Sequence, residues 1–213
     1  MTLLRRKYDR NYFESSLYRP RIRSQRNRRR LREVRRWIRG GRLLEIGCAT
    51  GEFLALATNH FEVKGVDVSQ HALDRVPSEL ETKVEQLDAE HSALPAGPFD
   101  AVVAFNVLEH MKAPQVAARK VHQVLRPGGV LVGSVPHNAG LVGRIYTLLS
   151  NLADATHQST LSPRRWRKVF KSAGFAMVRF LGEVPFTPHF GWYIDGRYRE
   201  QVSANLIFVC QKV

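Results

Sequence analysis

The chain has 213 residues, 44% of them hydrophobic and 24% charged, which fits one globular domain with a full core and excludes a fibrous or disordered chain. Its net charge of +14 is unevenly placed: residues 1–42 hold 16 lysines and arginines, 15 of them arginine, against Asp9, Glu14 and Glu33, while the remainder, with 17 basic and 16 acidic residues, is nearly neutral. Cys48 and Cys210 are too few and too far apart for a disulfide framework or a metal-ligand cluster, no run of about 18 apolar residues offers a membrane span, and the first residues lack the apolar stretch of a signal peptide, so a cytoplasmic protein is expected.

Residues 1–24 mix aromatic and basic side chains without a clean period. From Gln25 to Arg39 a helix is expected, with Leu31, Val34 and Ile38 on one stripe, Trp37 beside it, arginine on almost every other face, and Gly40-Gly41 as its stop. Strand and helix patterns then alternate. Strands are expected at 43–46, 63–66, 83–87, 100–105, 129–135, 175–181 and 205–211, and helices at 51–58, 70–75, 113–124 and 163–173. The last helix is well capped, with Ser162 at its N-cap, Pro163 at the first helical position and Gly174 just past its end; its stripe is Trp166, Val169, Phe170 and Ala173. This alternation implies a mostly parallel sheet covered on both faces. Two segments break the rhythm, Pro136–Leu161 and Gly182–Ser203, and are expected to be covers where substrate contacts lie.

The stretch richest in chemistry is Leu43-Leu44-Glu45-Ile46-Gly47-Cys48-Ala49-Thr50-Gly51-Glu52, an apolar strand running into a small-residue loop that opens a helix. The next strand, Val63 to Val66, ends on Asp67. Such a unit binds a nucleoside: the loop lets a ligand approach the backbone, and the acid accepts from a ribose diol. A dinucleotide loop would place glycine where Ala49 and Glu52 stand, and an anion at Glu52 is unsuited to a pyrophosphate. No Gly-Lys-Ser/Thr follows, which excludes a P-loop.

Glu45-Ile46-Gly47-Cys48-Ala49-Thr50-Gly51 resembles the first motif of class I S-adenosylmethionine-dependent methyltransferases, with Ala49 in place of the middle glycine. The resemblance continues in order through Val66-Asp67-Val68-Ser69, Leu87-Asp88-Ala89-Glu90, Phe99 to His110, and Leu125-Arg126-Pro127-Gly128-Gly129-Val130-Leu131, covering residues 43–135. It implies a Rossmann-like α/β fold, a seven-stranded mostly parallel sheet with helices on both faces and an antiparallel last strand. It implies S-adenosyl-L-methionine as cofactor and S-adenosyl-L-homocysteine as product. The cofactor site would comprise Glu45, Gly47, Ala49, Gly51, Asp67, Val68, Asp88, Ala89, Phe105 and Asn106. In it Asp67 meets the ribose hydroxyls, Asp88 and the Ala89 N–H meet the adenine, the backbone near Phe105 or Asn106 meets the ligand's amino group, and Glu45 acts through loop waters or amides. The chain divides into a basic head, 1–42, and the binding domain, 43–213. Leu108-Glu109-His110, His157 and the helix between Ser162 and Phe175 resemble the subgroup of ubiquinone-biosynthesis O-methyltransferases. Some of those enzymes are thought to use two glutamates and a histidine for a divalent metal; the first glutamate corresponds here to Asn106, so no metal is expected.

Methyl transfer from a sulfonium is an in-line displacement in which the protein mainly aligns the reactants, worth on the order of 7–11 kcal/mol. A base is needed only where the acceptor must lose a proton. His110, at the exit of the fourth strand, is the first candidate and His137 the second; His157, His189 and Tyr193 stand on cover segments. The Asn/Asp-Pro-Pro-aromatic signature of exocyclic-amine nucleic-acid enzymes is absent after strand four, and neither cysteine is placed as a nucleophile. The expected acceptor is an oxygen or nitrogen of a small molecule or a lipid-linked molecule. The alternative is an RNA methyltransferase or RNA-binding module that uses the arginine-rich head. That head has four readings: a solvated face, a dock for an anionic membrane surface, a nucleic-acid site, or capture of an anionic substrate. Tyr8, Tyr12, Phe13 and Tyr18 suit base stacking, but the resemblance implies a lid over the cofactor.

Overall fold

Alternating burial along the central strands sorts their side chains into two cores, one on each side of a single sheet. A computed structural model describes residues 20–140, 144, 145, 148, 158–184, 192–194, 203 and 205–213. Tyr8, Tyr12, Phe13, Tyr18, His157 and His189 lie outside that set, as does the side chain of Tyr193. The elements are α1 (Pro20–Trp37), β1 (Arg42–Ile46), α2 (Glu52–Ala57), β2 (Glu62–Asp67), α3 (Gln70–Leu73), β3 (Val84–Gln86), β4 (Phe99–Phe105), α4 (Pro114–Val124), β5 (Leu125–Pro136), α5 (Pro163–Ser172), β6 (Met177–Val184), β7 (Trp192–Ile194) and β8 (Asn205–Gln211). Short 3-10 turns occupy Ser78–Lys83 and Leu108–His110.

The sheet order is β3-β2-β1-β4-β5-β8-β6-β7. Strands β1 to β5 pair in parallel, and β8 runs antiparallel to both β5 and β6. All seven expected strands occur, with the last one antiparallel. The eighth, β7, is a three-residue edge strand paired with β6, too short to show a pattern in sequence.

Leu44, Ile46, Val102 and Ala104 face one core, shared with Trp166 and Phe170 of α5 and Val121 of α4. Leu43, Ala101 and Val103 face the other, shared with Leu31 and Val34 of α1 and Phe53 and Leu54 of α2. A strand buried on both faces must be apolar throughout, which is why β4 reads as a nearly unbroken hydrophobic run. Helix α1 begins five residues earlier than its apolar stripe suggests, at Pro20, a residue suited to the first helical turn. In α5 the expected cap is present: Ser162 Oγ accepts from the Arg165 N–H at 3.4 Å, and Gly174 takes φ +100° past the end. No helix among the described residues is long and apolar enough to cross a membrane.

Because β1 lies between β2 and β4, the loops that leave β1 and β4 diverge toward opposite halves of the sheet. A crevice at the carboxyl ends of the strands is the geometric consequence.

Candidate functional site

The crevice is a cleft of about 230 Å³, lined by the loops that follow β1, β2, β3 and β4 and by the inner face of α1. The loop after β1 is stitched to β2. The Gly47 and Cys48 N–H groups both donate to the Val66 carbonyl, at 2.8 and 3.1 Å, and the Gly51 N–H donates to the Cys48 carbonyl at 2.9 Å. Gly47 sits at φ +76°, and a Cβ there would collide with the Val107 side chain, so the approach of the β1 and β4 loops requires glycine. Ala49 takes φ +47°, a left-handed conformation that costs roughly 1–2 kcal/mol for a residue with a Cβ. That strain is held by a specific bond: the Ala49 N–H donates to Asp67 Oδ2 at 2.8 Å.

Asp67 ends β2 and also accepts from the Ser69 N–H, through Oδ1 at 2.9 Å. A carboxylate offers about four lone-pair sites, so it can tie the loop in place and still receive a ligand's hydroxyls. Burial raises the Asp67 carboxyl above its ordinary value, opposed by the backbone N–H groups of Ser69, Ala49 and Val68. Glu45, 5% exposed, lines the cleft from β1, and Gly47, Ala49 and Val68 line it from the loops. Gly51 stands just behind the lining residues as the N-cap of α2.

Asp88 follows β3 in a tight turn. Its Oδ1 accepts from the Glu90 and His91 N–H groups, at 3.0 and 3.3 Å, and its Oδ2 lies 3.0 Å from His91 Nδ1. Asp88 and Ala89 both line the cleft and are nearly fully buried. Glu90 next to them accepts from the Ala113 N–H at 2.6 Å and the Lys112 N–H at 3.3 Å, which fixes this turn to the start of α4.

Phe105 and Asn106 close the far wall. Asn106 is left-handed, φ +56°, and clamped to β5: its N–H donates to the Ser134 carbonyl at 2.9 Å, and its Oδ1 accepts from Ser134 Oγ at 2.6 Å. The Phe105 ring packs on Phe53, with centroids 5.2 Å apart.

Helix α1 forms the roof. Arg30 places its guanidinium 4.4 Å from the Phe105 centroid and donates to Ser134 Oγ and to Asn27 Oδ1, both at 3.3 Å. Arg26 makes a two-pronged pair with Glu183, Nε to Oε1 at 3.2 Å and Nη2 to Oε2 at 2.9 Å. The reading of the sequence does not single out Arg26, Asn27 and Arg30 as cleft residues. One signal was available: Asn27 continues the Leu31, Val34, Ile38 stripe at helical spacing, and a polar residue on an inward stripe needs a polar partner.

The two expected base candidates separate. His110, on the turn after β4, lines the cleft and is partly exposed. His137 is 0% exposed and is absent from the cleft lining. The Ala139 N–H donates to its Nδ1 at 3.2 Å, so Nε2 carries the proton and faces Ser203 Oγ at 3.1 Å. Burial lowers its pKa to about 4. A neutral imidazole with both nitrogens occupied and no access to the cleft has no means of taking a proton from an acceptor there. Cys48 is a buried thiol whose pKa is pushed up by burial first and then by the charges of Glu45 and Asp67, so it is no nucleophile. Among the described residues, no three His, Cys, Asp or Glu side chains are grouped to hold a metal ion.

The donor set suits an adenosine that carries an amino-acid tail. Asp67 offers a carboxylate for a diol, the 88–90 turn offers an acid and backbone groups for a base, and a mixture of acids and arginines faces a zwitterion. Among the described residues, nothing in the cleft resembles a triphosphate cradle.

The family model for a methyltransferase domain matches residues 18–179. A ubiquinone biosynthesis O-methyltransferase from Aromatoleum aromaticum is 30% identical over 162 residues, 68% of each chain. A phosphatidylethanolamine N-methyltransferase from Cereibacter sphaeroides is 33% identical over 101 residues, 44% of this chain and 50% of that one, so the chain spans only half of that relative's length. A solved SAM-dependent methyltransferase from Thermotoga maritima superposes with a TM-score of 0.77 over 99% of this chain and 100% of that one at 19% identity, a likeness of fold. By family model, sequence and fold together, the chain belongs to the methyltransferase domain family and is an S-adenosylmethionine-dependent methyltransferase.

Proposed function

We propose that the enzyme methylates an oxygen or nitrogen of a small-molecule or lipid-linked acceptor, in the cytoplasm and peripherally at a membrane. The reading is carried by one juxtaposition: His110, the one imidazole among the described lining residues, shares the cleft with the loop amides and acids that suit the cofactor. Bound S-adenosylmethionine supplies the activated methyl group. Asp67 accepts from both ribose hydroxyls, charge-assisted bonds worth roughly 1.5–3 kcal/mol. Asp88 and the Ala89 backbone take the adenine edge, Glu45 steadies the loop, and N–H groups near Gly51 face the carboxylate of the tail. The clamped backbone at Phe105 and Asn106 takes the amino group. Arg26, Asn27 and Arg30 exclude water from above. His110 receives a proton where the acceptor must release one. His137 orders the chain after β5 and takes no part in the transfer.

The acceptor class draws support from the relatives' names, which join N-methylation to phosphatidylethanolamine and O-methylation to ubiquinone biosynthesis. Neither of these two names points to RNA.

The purified enzyme, incubated with methyl-labelled cofactor and a fractionated lysate, is expected to label lipid extracts or small metabolites; label confined to RNA overturns the reading. By calorimetry, Asp67→Ala is expected to weaken cofactor binding about ten- to a hundredfold, following the same 1.5–3 kcal/mol. Unchanged affinity would remove Asp67 from the site. A protonated Asp67 cannot accept from both hydroxyls, so wild-type affinity falls on acidification, starting above the ordinary carboxylate value of 3.8 because burial raises this group.

A further inference from the structure

We propose that the outer face of α1 is a docking surface for an anionic lipid bilayer, which holds the cleft against the membrane. The inference rests on the lipid-linked acceptor reading above and specifies where that acceptor is met.

Helix α1 carries nine arginines and one acid, Glu33. Arg28, Arg32 and Arg35 are exposed at i, i+4 and i+7, one per turn on a line of about 10 Å, and exposed Arg39 follows just past the helix end. Arg36 lies beside them, tied to Glu33 at 2.7 Å. Glu33 itself is only 2% exposed, so among the described residues no acid of α1 neutralises the outer face.

The opposite face is committed to the protein. Asn27, Leu31 and Val34 are buried, and Arg26 holds Glu183. With Leu31 and Val34 in the core, α1 cannot lay an apolar face into lipid as a free amphipathic helix would. Docking by this surface is therefore electrostatic, worth about 1 kcal/mol per arginine at a negative membrane and screened over a Debye length of about 8 Å in physiological salt.

A bilayer fits better than a nucleic acid. The described outer face of α1 presents guanidinium groups with no aromatic side chain for base stacking. The placement is also functional. Arg26, Asn27 and Arg30 of the same helix roof the cleft, so a bilayer on the outer face lies about one helix diameter, roughly 10–12 Å, from the site.

The test uses the full chain in flotation with vesicles of phosphatidylcholine alone and of phosphatidylcholine mixed with phosphatidylglycerol. Binding is expected to the mixed vesicles only, and to fade as salt is raised. The combined variant R28Q/R32Q/R35Q/R39Q is expected to bind at least about a hundredfold more weakly, and the matching lysine variant to retain binding. Cofactor affinity and the thermal melt of the glutamine variant should match the wild type, since none of these residues lines the cleft. Equal binding to neutral vesicles, an unaffected glutamine variant, or a tighter complex with polyuridylate at the same salt overturns the proposal. Lipid labelling without vesicle binding removes the docking surface and leaves the acceptor reading intact. Vesicle binding with label only in water-soluble metabolites removes the acceptor reading and leaves the surface.

Discussion

Helices α1 and α5 lie on opposite faces of one sheet, and both are dense in basic residues. Helix α5 turns large aromatic side chains inward: Trp166 and Phe170 are 0% exposed, and the Phe170 ring lies tilted against Phe208 with centroids 4.5 Å apart. Helix α1 buries Leu31 and Val34, but also Asn27 and Glu33, and its first turns reach Phe105 and Ser134 through Arg30 and Glu183 through Arg26. A helix that only stabilises keeps polar groups out of its inner stripe, because each one buried must find a partner. Polar groups on the inner stripe of α1 show that this helix belongs to the site as well as to the core.

The comparison can be broken by three substitutions. Trp166→Ala removes the largest side chain beneath α5 and is expected to cost about 3–5 kcal/mol in denaturant unfolding. Its folded fraction should bind cofactor as the wild type does; a large loss of affinity would make α5 part of the site. Glu183→Gln cuts the tie that holds α1. Burial alone would raise the Glu183 carboxyl, but Arg26 and Arg30, with hydrogen bonds from Arg26 and Asn205, bring it from 4.5 down to about 2. A depressed pKa means stability that is present in full above 4.5 and lost as pH falls toward 2, about 3 kcal/mol in all. The deficit of Glu183→Gln against the wild type should therefore be largest near neutrality and shrink on acidification; a constant deficit would deny the ion pair. Arg30→Ala gives the smallest effect on stability, under about 1 kcal/mol, with cofactor affinity reduced about tenfold. An unfolding curve that moves more than the binding isotherm would make Arg30 a structural residue.

Much of the cofactor half was legible because its signals are contiguous. The strand, loop and helix around Gly47, the acid ending β2 and the cap of α5 each lie within a few residues of one another, and short-range sterics decide them. The histidines were not separable in this way. His110 and His137 both follow strand ends, and only the arrival of Ser203, 66 positions away, closes one of them off. Ala49 could be seen to replace a glycine, but its positive φ and the Asp67 carboxylate that holds it belong to two strands brought side by side.

From the order of its residues alone, the chain dictated a doubly covered, mostly parallel sheet, the small-residue turn after β1, and the acids at 67 and 88 beside the ends of β2 and β3. Periodicity and chain stiffness act over a few residues and need no distant partner. Which face of α1 points inward, that its arginines divide into roof and outer stripe, and that Arg26 pairs with a carboxylate 157 positions later were decided only when the sheet closed. A charge on a helix has no assigned role until burial selects its partner, and burial is a property of the whole fold.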